Sequence, residues 1–165
     1  MRRSARNLVY SAIIAALYVT LTYTQNALLP GTTTNAIQFR ASEALCVLSL
    51  FTPAAIPGLS VGCLLFNISA GALPLDFVIG TAASALAAAG MYAVRKLTVK
   101  GYPLLAMVLP ALFNGLLVGW ELDYVMGGGF WLNALYVAIG ELAVLLTLGT
   151  ALFYAIKKYS HRIFR

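Results

Sequence analysis

From Leu132 to Ile156 the chain reads LNALYVAIGELAVLLTLGTALFYAI, an apolar run whose only charged residue is Glu141. A bilayer core of about 30 Å takes about 20 helical residues to cross. A run this long is a transmembrane span, and it commits the rest of the chain to the same solvent. LVYSAIIAALYVTLTY, near the N-terminus, is a second such run. The whole chain is 61% hydrophobic and 10% charged, whereas soluble domains are about 25% charged. Closed β-barrels also span bilayers, but they need a polar–apolar alternation that these runs lack. The fold class is all-α, a polytopic membrane protein forming one integral membrane domain over 1–165, with no linker or low-complexity tract.

MRRSARN before the first run resembles the start of a signal peptide, but the run is long and no clean A-x-A site comes after it. It reads as the first span. Four spans fall at about 7–28, 75–96, 103–122 and 131–156. The stretch 42–72 is either one kinked helix or two short ones. Pro53 and Pro57 disrupt a continuous helix, so TPAAIPG reads as a turn. Charge chooses between the two. With one span, Arg95, Lys96 and Lys100 fall on the opposite side from Arg2, Arg3 and Arg6, as do Lys157, Lys158, Arg162 and Arg165. With two, at about 42–52 and 57–72, all three clusters lie on one side, as the positive-inside rule requires. The expectation is a compact bundle of six transmembrane helices with both termini cytoplasmic, in the cell membrane. The net charge of +6 is then explained by span ends, not by nucleic acid.

This topology sorts the acids. The five are Glu43, Asp76, Glu121, Asp123 and Glu141. Four lie at the outer ends of helices, and Glu141 lies about 15 Å into the last span. Arg40 is the lone basic residue on the outer side. A carboxylate inside a span is costly and defaults to a functional role, with a hydrogen-bonded helix tie as the structural reading of Glu141. Asn133, two turns earlier, points to a similar face. Asn114, Val118 and Glu121, at i, i+4 and i+7, form a polar stripe on one helix. Asn67 is a further ligand candidate. Asp76 reads as a helix cap, and Asp123 as a solvated helix end. Trp120 and Trp131 suit an interfacial aromatic belt, and Trp131 also suits a stacking platform beside Asn133. Gly127–Gly129 reads as a flexible loop, since no Lys-Ser/Thr comes next to make a P-loop. Cys46 and Cys63 sit in apolar segments, where a thiol behaves as a small hydrophobe. In SAIIAA, Ala12 and Ala16 are four apart with Ser11 and Ala15 beside them. Such small residues let helices approach closely, either inside the bundle or against a partner.

No nucleophile–base pair, Walker motif or metal signature is present. An enzyme is disfavoured, no cofactor or metal is expected, and uphill movement of a solute would draw on an ion gradient or a partner. Several stretches, QFRASEAL, FTPAAIPGLSVGCLLFN, NGLLVGWEL and FWLNALYVAIGELAVLLTLG, resemble the QueT family of S components of energy-coupling factor (ECF) transporters. The resemblance covers about residues 8–157. It implies substrate capture from outside and docking through Ala12 and Ala16 to a transmembrane T component. It also implies toppling in the membrane, driven by two cytoplasmic ATPase subunits. The implied substrate is a queuosine precursor, a 7-deazaguanine such as queuine or preQ1. A guanine-like edge offers paired N–H donors that one carboxylate accepts together. Glu141 or Glu121 would read that edge, Asn67, Asn114 and Asn133 would add hydrogen bonds, and Trp131 would stack.

Two rival readings are an S component for another flat vitamin and a proton-coupled carrier using Glu141. A non-transporting scaffold is a third. In QFRASEAL, Arg40 and Glu43 are close enough to pair and pin a helix start. Alternatively, the loop folds over the outer pocket as a lid, with Gln38, Arg40 and Glu43 at the substrate.

Overall fold

The computed structural model describes residues 3–32 and 39–163, and every named element in it is helical. Helix α1 (Arg3–Leu28) leads to a 3-10 helix (Ala41–Leu50). Then come α2 (Ala55–Ser69), α3 (Pro74–Val94), α4 (Leu104–Met126) and α5 (Phe130–Val144). A π-helical turn (Leu145–Gly149) carries α5 directly into α6 (Thr150–Ile163). Four helices are long and apolar enough to cross a membrane: Ser4–Leu28, Pro74–Val94, Leu104–Met126 and the composite Phe130–Ser160. Ala41–Leu50 and Ala55–Ser69 are shorter and apolar. The limits of α3 and α4 differ by a few residues from the expected 75–96 and 103–122, because helix ends fray and periodicity does not mark them.

The stretch around Pro53 turns back on itself, as charge required. Ser11 Oγ donates to Ala54 O at 2.8 Å, which fixes the turn beside the start of α1. The Phe51 and Phe153 ring centroids lie 5.8 Å apart, and those of Tyr102 and Phe153 lie 6.0 Å apart. Lys157 Nζ donates to Gly101 O at 3.2 Å. The start of α1, the 51–54 turn, the loop before α4 and the start of α6 therefore share one end of the bundle, and Arg6, Arg95, Lys96, Lys100, Lys157 and Lys158 lie toward it. Residues 29–32 and 39–40 and the connections 70–73 and 127–129 lie at the other end.

The expected second helix is not α-helical. A 3-10 helix rises about 2.0 Å per residue against 1.5 Å for an α-helix. Ten residues thus span about 20 Å instead of about 15 Å. The tighter winding recovers part of the length that an α-helix here would lack. Such runs seldom exceed three or four residues, so this one needs support from outside. Ser42 through Ser49 are all buried. The element touches α1, α2, α3, α5, the π turn and α6, so it threads the middle of the bundle. In a 3-10 helix every third side chain is eclipsed, which stacks Arg40, Glu43, Cys46 and Ser49 on one edge. Tyr18 Oη donates to Glu43 Oε1 at 2.6 Å, and Cys46 Sγ approaches Glu43 Oε2 at 3.4 Å. Thr22 Oγ1 pairs with Ser42 Oγ at 2.8 Å. Polar side chains of α1 thus hold the element in register.

Small residues set the remaining distances. A Cβ at Gly58 would sit 2.9 Å from Ser11 O and Ile14 Cβ, and one at Gly62 would sit 2.8 Å from Tyr18 Cβ. The Ser11–Ala15 face of α1 therefore packs on α2. Ala12 and Ala16, one position on, are exposed. The small-residue run in SAIIAA thus has one face packed inside the bundle and another open. Between α4 and α5, a Cβ at Gly119 would meet Ala134 Cα at 2.6 Å and N at 2.7 Å. The apolar core, which includes Tyr18, Val47, Leu59, Met91, Met107, Leu145 and Phe153, fills the bundle toward its basic end.

This packing dictates how substitutions change stability. Gly119→Ala meets backbone, which cannot step aside, and lowers stability by about 1–3 kcal/mol in thermal unfolding of the detergent-solubilised protein. Gly90→Ala meets the Phe113 ring edge at 2.9 Å, a side chain able to swing, and costs less. Equal melting temperatures for the two variants would contradict this packing. Tyr18→Phe strips the buried Glu43 carboxylate of its hydroxyl donor and costs about 1–3 kcal/mol in the same measurement.

Candidate functional site

Two contiguous cavities lie above the apolar core, toward the end away from the basic clusters. The outer one has a volume of about 440 Å3. Its walls include Phe66, Asn67, Asp76, Val118, Glu121 and Leu122. The inner one, about 10 Å3, is lined by Arg40, Glu43, Ser84, Asn114, Val137 and Glu141. That is close to the smallest space that holds one water molecule. Arg40, Gly80 and Val118 line both cavities, so the inner chamber is the floor of the outer one.

Each wall has a local cause. Glu43 reaches the floor from the 3-10 helix, one turn after Arg40, where the Glu43 N–H bonds to Arg40 O at 3.0 Å. Glu141, on α5, accepts from Asn114 Nδ2 at 3.1 Å, which ties α5 to α4 at the floor. Glu43, Glu141 and Arg40 interact electrostatically there. The polar stripe of α4 thus divides. Asn114 serves the floor, and Glu121, two turns on, lines the outer chamber. Glu121 is 3% exposed, yet its Oε1 has no hydrogen-bond partner among the described residues. Asp76, from α3, comes within hydrogen-bonding reach of the Glu121 side chain and interacts with it electrostatically. Asp76 Oδ2 also accepts the Leu73 N–H at 2.8 Å, closing a capping box at the start of α3. It is both a cap and a cavity wall.

Asn67 lines the outer cavity but donates to Asp76 O at 2.9 Å, which clamps the end of α2 to α3. Asn133 Nδ2 donates to Gly127 O at 2.9 Å, and Asp123 Oδ1 accepts from Gly129 N–H at 2.9 Å. Gly127, Gly128 and Gly129 have φ of 76°, 94° and 95°, conformations that side chains disfavour. The loop is therefore a pinned glycine turn, and neither it nor Asn133 lines the cavities. Trp131 is 77% exposed, packs on Phe130 with centroids 4.8 Å apart, and sits on the outer α4–α5 face. The aromatic wall of the outer cavity is Phe66 instead, set edge-to-face against Tyr23 at 5.2 Å. Gln38 lies outside the described residues.

Charge and motif reading passes over three residues that build this region. Gln25 accepts from Ala41 N–H at 2.7 Å and donates to Thr32 Oγ1 at 2.9 Å and to Phe39 O. It ties Thr32, Phe39 and Ala41 to α1 and so positions Arg40. Tyr18 holds Glu43, and Ser84 completes the floor. A signal for two of them exists. Tyr18, Thr22 and Gln25 stand at i, i+4 and i+7, the same polar stripe pattern that marks α4.

At the basic end, α1 and the 51–54 turn flank a groove of about 510 Å3 whose lining includes Asn7, Ser11, Ala12, Pro53 and Pro57. The outward face of α1 beside it exposes Leu8, Ile13 and Leu17.

Comparison with known proteins gives one result. A family model described as QueT transporter matches residues 8–158. No curated protein and no solved structure matches. The match spans nearly the whole chain, and with its four long apolar helices this multi-pass membrane protein belongs to the QueT transporter family.

Proposed function

We propose that the chain is the substrate-capturing S component of an energy-coupling factor importer for queuosine precursors, 7-deazaguanines such as queuine or preQ1. The observation that carries this reading is the outer cavity of about 440 Å3. Its size lies within the range of about 300–1,000 Å3 typical of small-molecule sites. Apolar walls at Phe66, Val118 and Leu122 suit a flat heterocycle, and stacking of a base on an aromatic ring contributes about 1–3 kcal/mol. The polar floor suits the heterocycle's edge. Glu141, held by Asn114, takes the paired N–H donors of a guanine-like ring, and Arg40 takes a carbonyl or ring nitrogen. Arg40, set by Gln25 at the seam of the two chambers, links the ligand to the start of the 3-10 helix. Beneath the floor the core is apolar, which suits capture and release at one face.

A capture subunit needs a partner to move its cargo. The exposed Ala12–Ala16 face of α1 and the neighbouring groove suit a helix of the T component, with two ATPase subunits on its cytoplasmic side. Small residues at the contact allow close helix approach in the membrane.

Two measurements test this reading. In a titration of purified protein with 7-deazaguanine, Glu141→Gln weakens binding about 5- to 150-fold, the equivalent of one bidentate base contact. Unchanged affinity overturns the edge-reading role. Ala12→Trp together with Ala16→Trp abolishes co-purification with the T component and ATPases, while ligand titration still shows binding. A complex that survives both substitutions overturns the docking assignment.

A further inference from the structure

One end of the bundle collects positive charge alone. Arg6, Arg95, Lys96, Lys100, Lys157 and Lys158 lie toward it. None of the chain's five acids does. Glu43, Asp76, Glu121 and Glu141 line the cavities, and Asp123 accepts the Gly129 N–H at the opposite end. Span ends explain a basic excess of this kind in general. They do not explain how two of these lysines are held.

Lys100 sits in the connection between α3 and α4. Val99 N–H donates to Tyr102 O at 2.9 Å and Tyr102 N–H to Val99 O at 3.0 Å, which closes a two-residue turn. Lys100 has φ 51° and Gly101 has φ 78°. Positive φ at both central residues is the requirement of a type I′ turn, which Asn-Gly, Asp-Gly or Gly-Gly fills most readily. Lys100 is the one non-glycine residue at positive φ among the described residues. A lysine there costs conformational energy that asparagine or glycine largely avoids, and strain of this kind clusters at functional sites. What the strain secures is an exposed cation at the tip of a closed turn. From α6, Lys157 Nζ donates to Gly101 O at 3.2 Å and lies 5.3 Å from the centroid of the Phe153 ring. A second ammonium is thus fixed against the same turn, and an ammonium carries three donors, so others remain for an anion.

The surroundings of the turn point to its partner. Helices α3 and α4 are long and apolar enough to cross a membrane, which puts the connection between them at the bilayer surface. Leu97 and Val99, interleaved with Lys96 and Lys100, are exposed, as are Tyr154 and Tyr159 of α6. An acidic protein surface would meet the charges and leave those apolar side chains without a partner. A lipid satisfies both: its hydrocarbon covers Leu97 and Val99, and its phosphate meets the ammonium groups.

We propose that the Val99–Tyr102 turn, with Lys100 at its tip and Lys157 tied to its flank, is a docking site for the headgroup of an anionic phospholipid in the leaflet at the basic end. Two cations fixed in place give this site a geometry that a diffuse layer of surface charge lacks.

The test titrates the detergent-solubilised full chain with phosphatidylglycerol and with phosphatidylcholine of the same acyl chains, and counts bound lipid by native mass spectrometry. The expected result is phosphatidylglycerol binding about tenfold or more tighter than phosphatidylcholine. Lys100→Asn weakens phosphatidylglycerol binding about fivefold, the effect of one lysine at an anionic lipid surface, and leaves phosphatidylcholine unchanged. The same substitution raises the melting temperature in lipid-free detergent, because asparagine takes the left-handed conformation readily. Lys157→Gln keeps a donor for Gly101 O, loses the charge and weakens phosphatidylglycerol binding likewise. Lys158→Gln, an equal charge loss one residue on, changes it less than twofold. Equal affinities for the two lipids in the wild-type protein overturn the proposal and leave an acidic protein surface as the partner. An effect of Lys158→Gln as large as that of Lys100→Asn also overturns it, since the attraction is then diffuse. So does displacement of phosphatidylglycerol by millimolar inorganic phosphate, which marks a site for soluble anions.

Discussion

Everything in this bundle depends on sheltering the backbone of the 3-10 helix at Ala41–Leu50. A segment of ten residues is too short for an α-helical span of a bilayer core of about 30 Å. Winding it as a 3-10 helix lengthens it, at the cost of poorer hydrogen-bond geometry. Hydrocarbon gives no relief to strained or unpaired backbone groups, so such an element survives only when protein surrounds it. The long helices and α2 do this, with the glycines of α2 and α4 drawing them close enough. The bundle is a sleeve around one unusual element, and the polar edge of that element became the floor of the cavity.

The same arrangement explains why buried charge is tolerated. Glu43 has Tyr18, Glu141 has Asn114, and Arg40 stands beside both carboxylates. Each charge taken into the membrane has a donor or a counter-charge, as buried ions require. The partners come from α1, α4 and the 3-10 helix, so electrostatics fastens the sleeve to what it encloses. Glu121 differs from them: the group that faces it across the outer chamber is another acid, Asp76.

Much of this was legible in the residues. The apolar runs fixed the class, and the positions of Arg95, Lys96 and Lys100 required an even number of crossings before them, which the Ser11–Ala54 and Lys157–Gly101 contacts bear out. Period gave the α4 stripe. The 3-10 winding was not legible, because no local residue preference calls for it; tertiary enclosure imposes it. Trp131 and Asn133 looked like cavity residues because they precede Glu141 on one helix. Yet Trp131 points to the outer α4–α5 face, and Asn133 is spent on a turn whose three glycines all need positive φ. Sequence proximity cannot separate a wall from a hinge pin. Gln25 and Tyr18 were passed over for the opposite reason: they are uncharged, and their i, i+4, i+7 stripe with Thr22 shows only when polar residues are read by helical period.

The π turn at Leu145–Gly149 has a consequence for how the chain tolerates change in length. A π-helical turn holds one residue more than the α-helix it interrupts. Removing one residue there restores an α-helix without rotating α6, whereas a deletion elsewhere in α5 or α6 turns the downstream face by about 100°. Upstream, Glu141 would still meet Asn114, and downstream, Thr150 would still meet Tyr102 Oη, now 2.6 Å away. The last span thus carries a slack link between the cavity end of the molecule and its basic end, where the two can drift in sequence length without losing alignment.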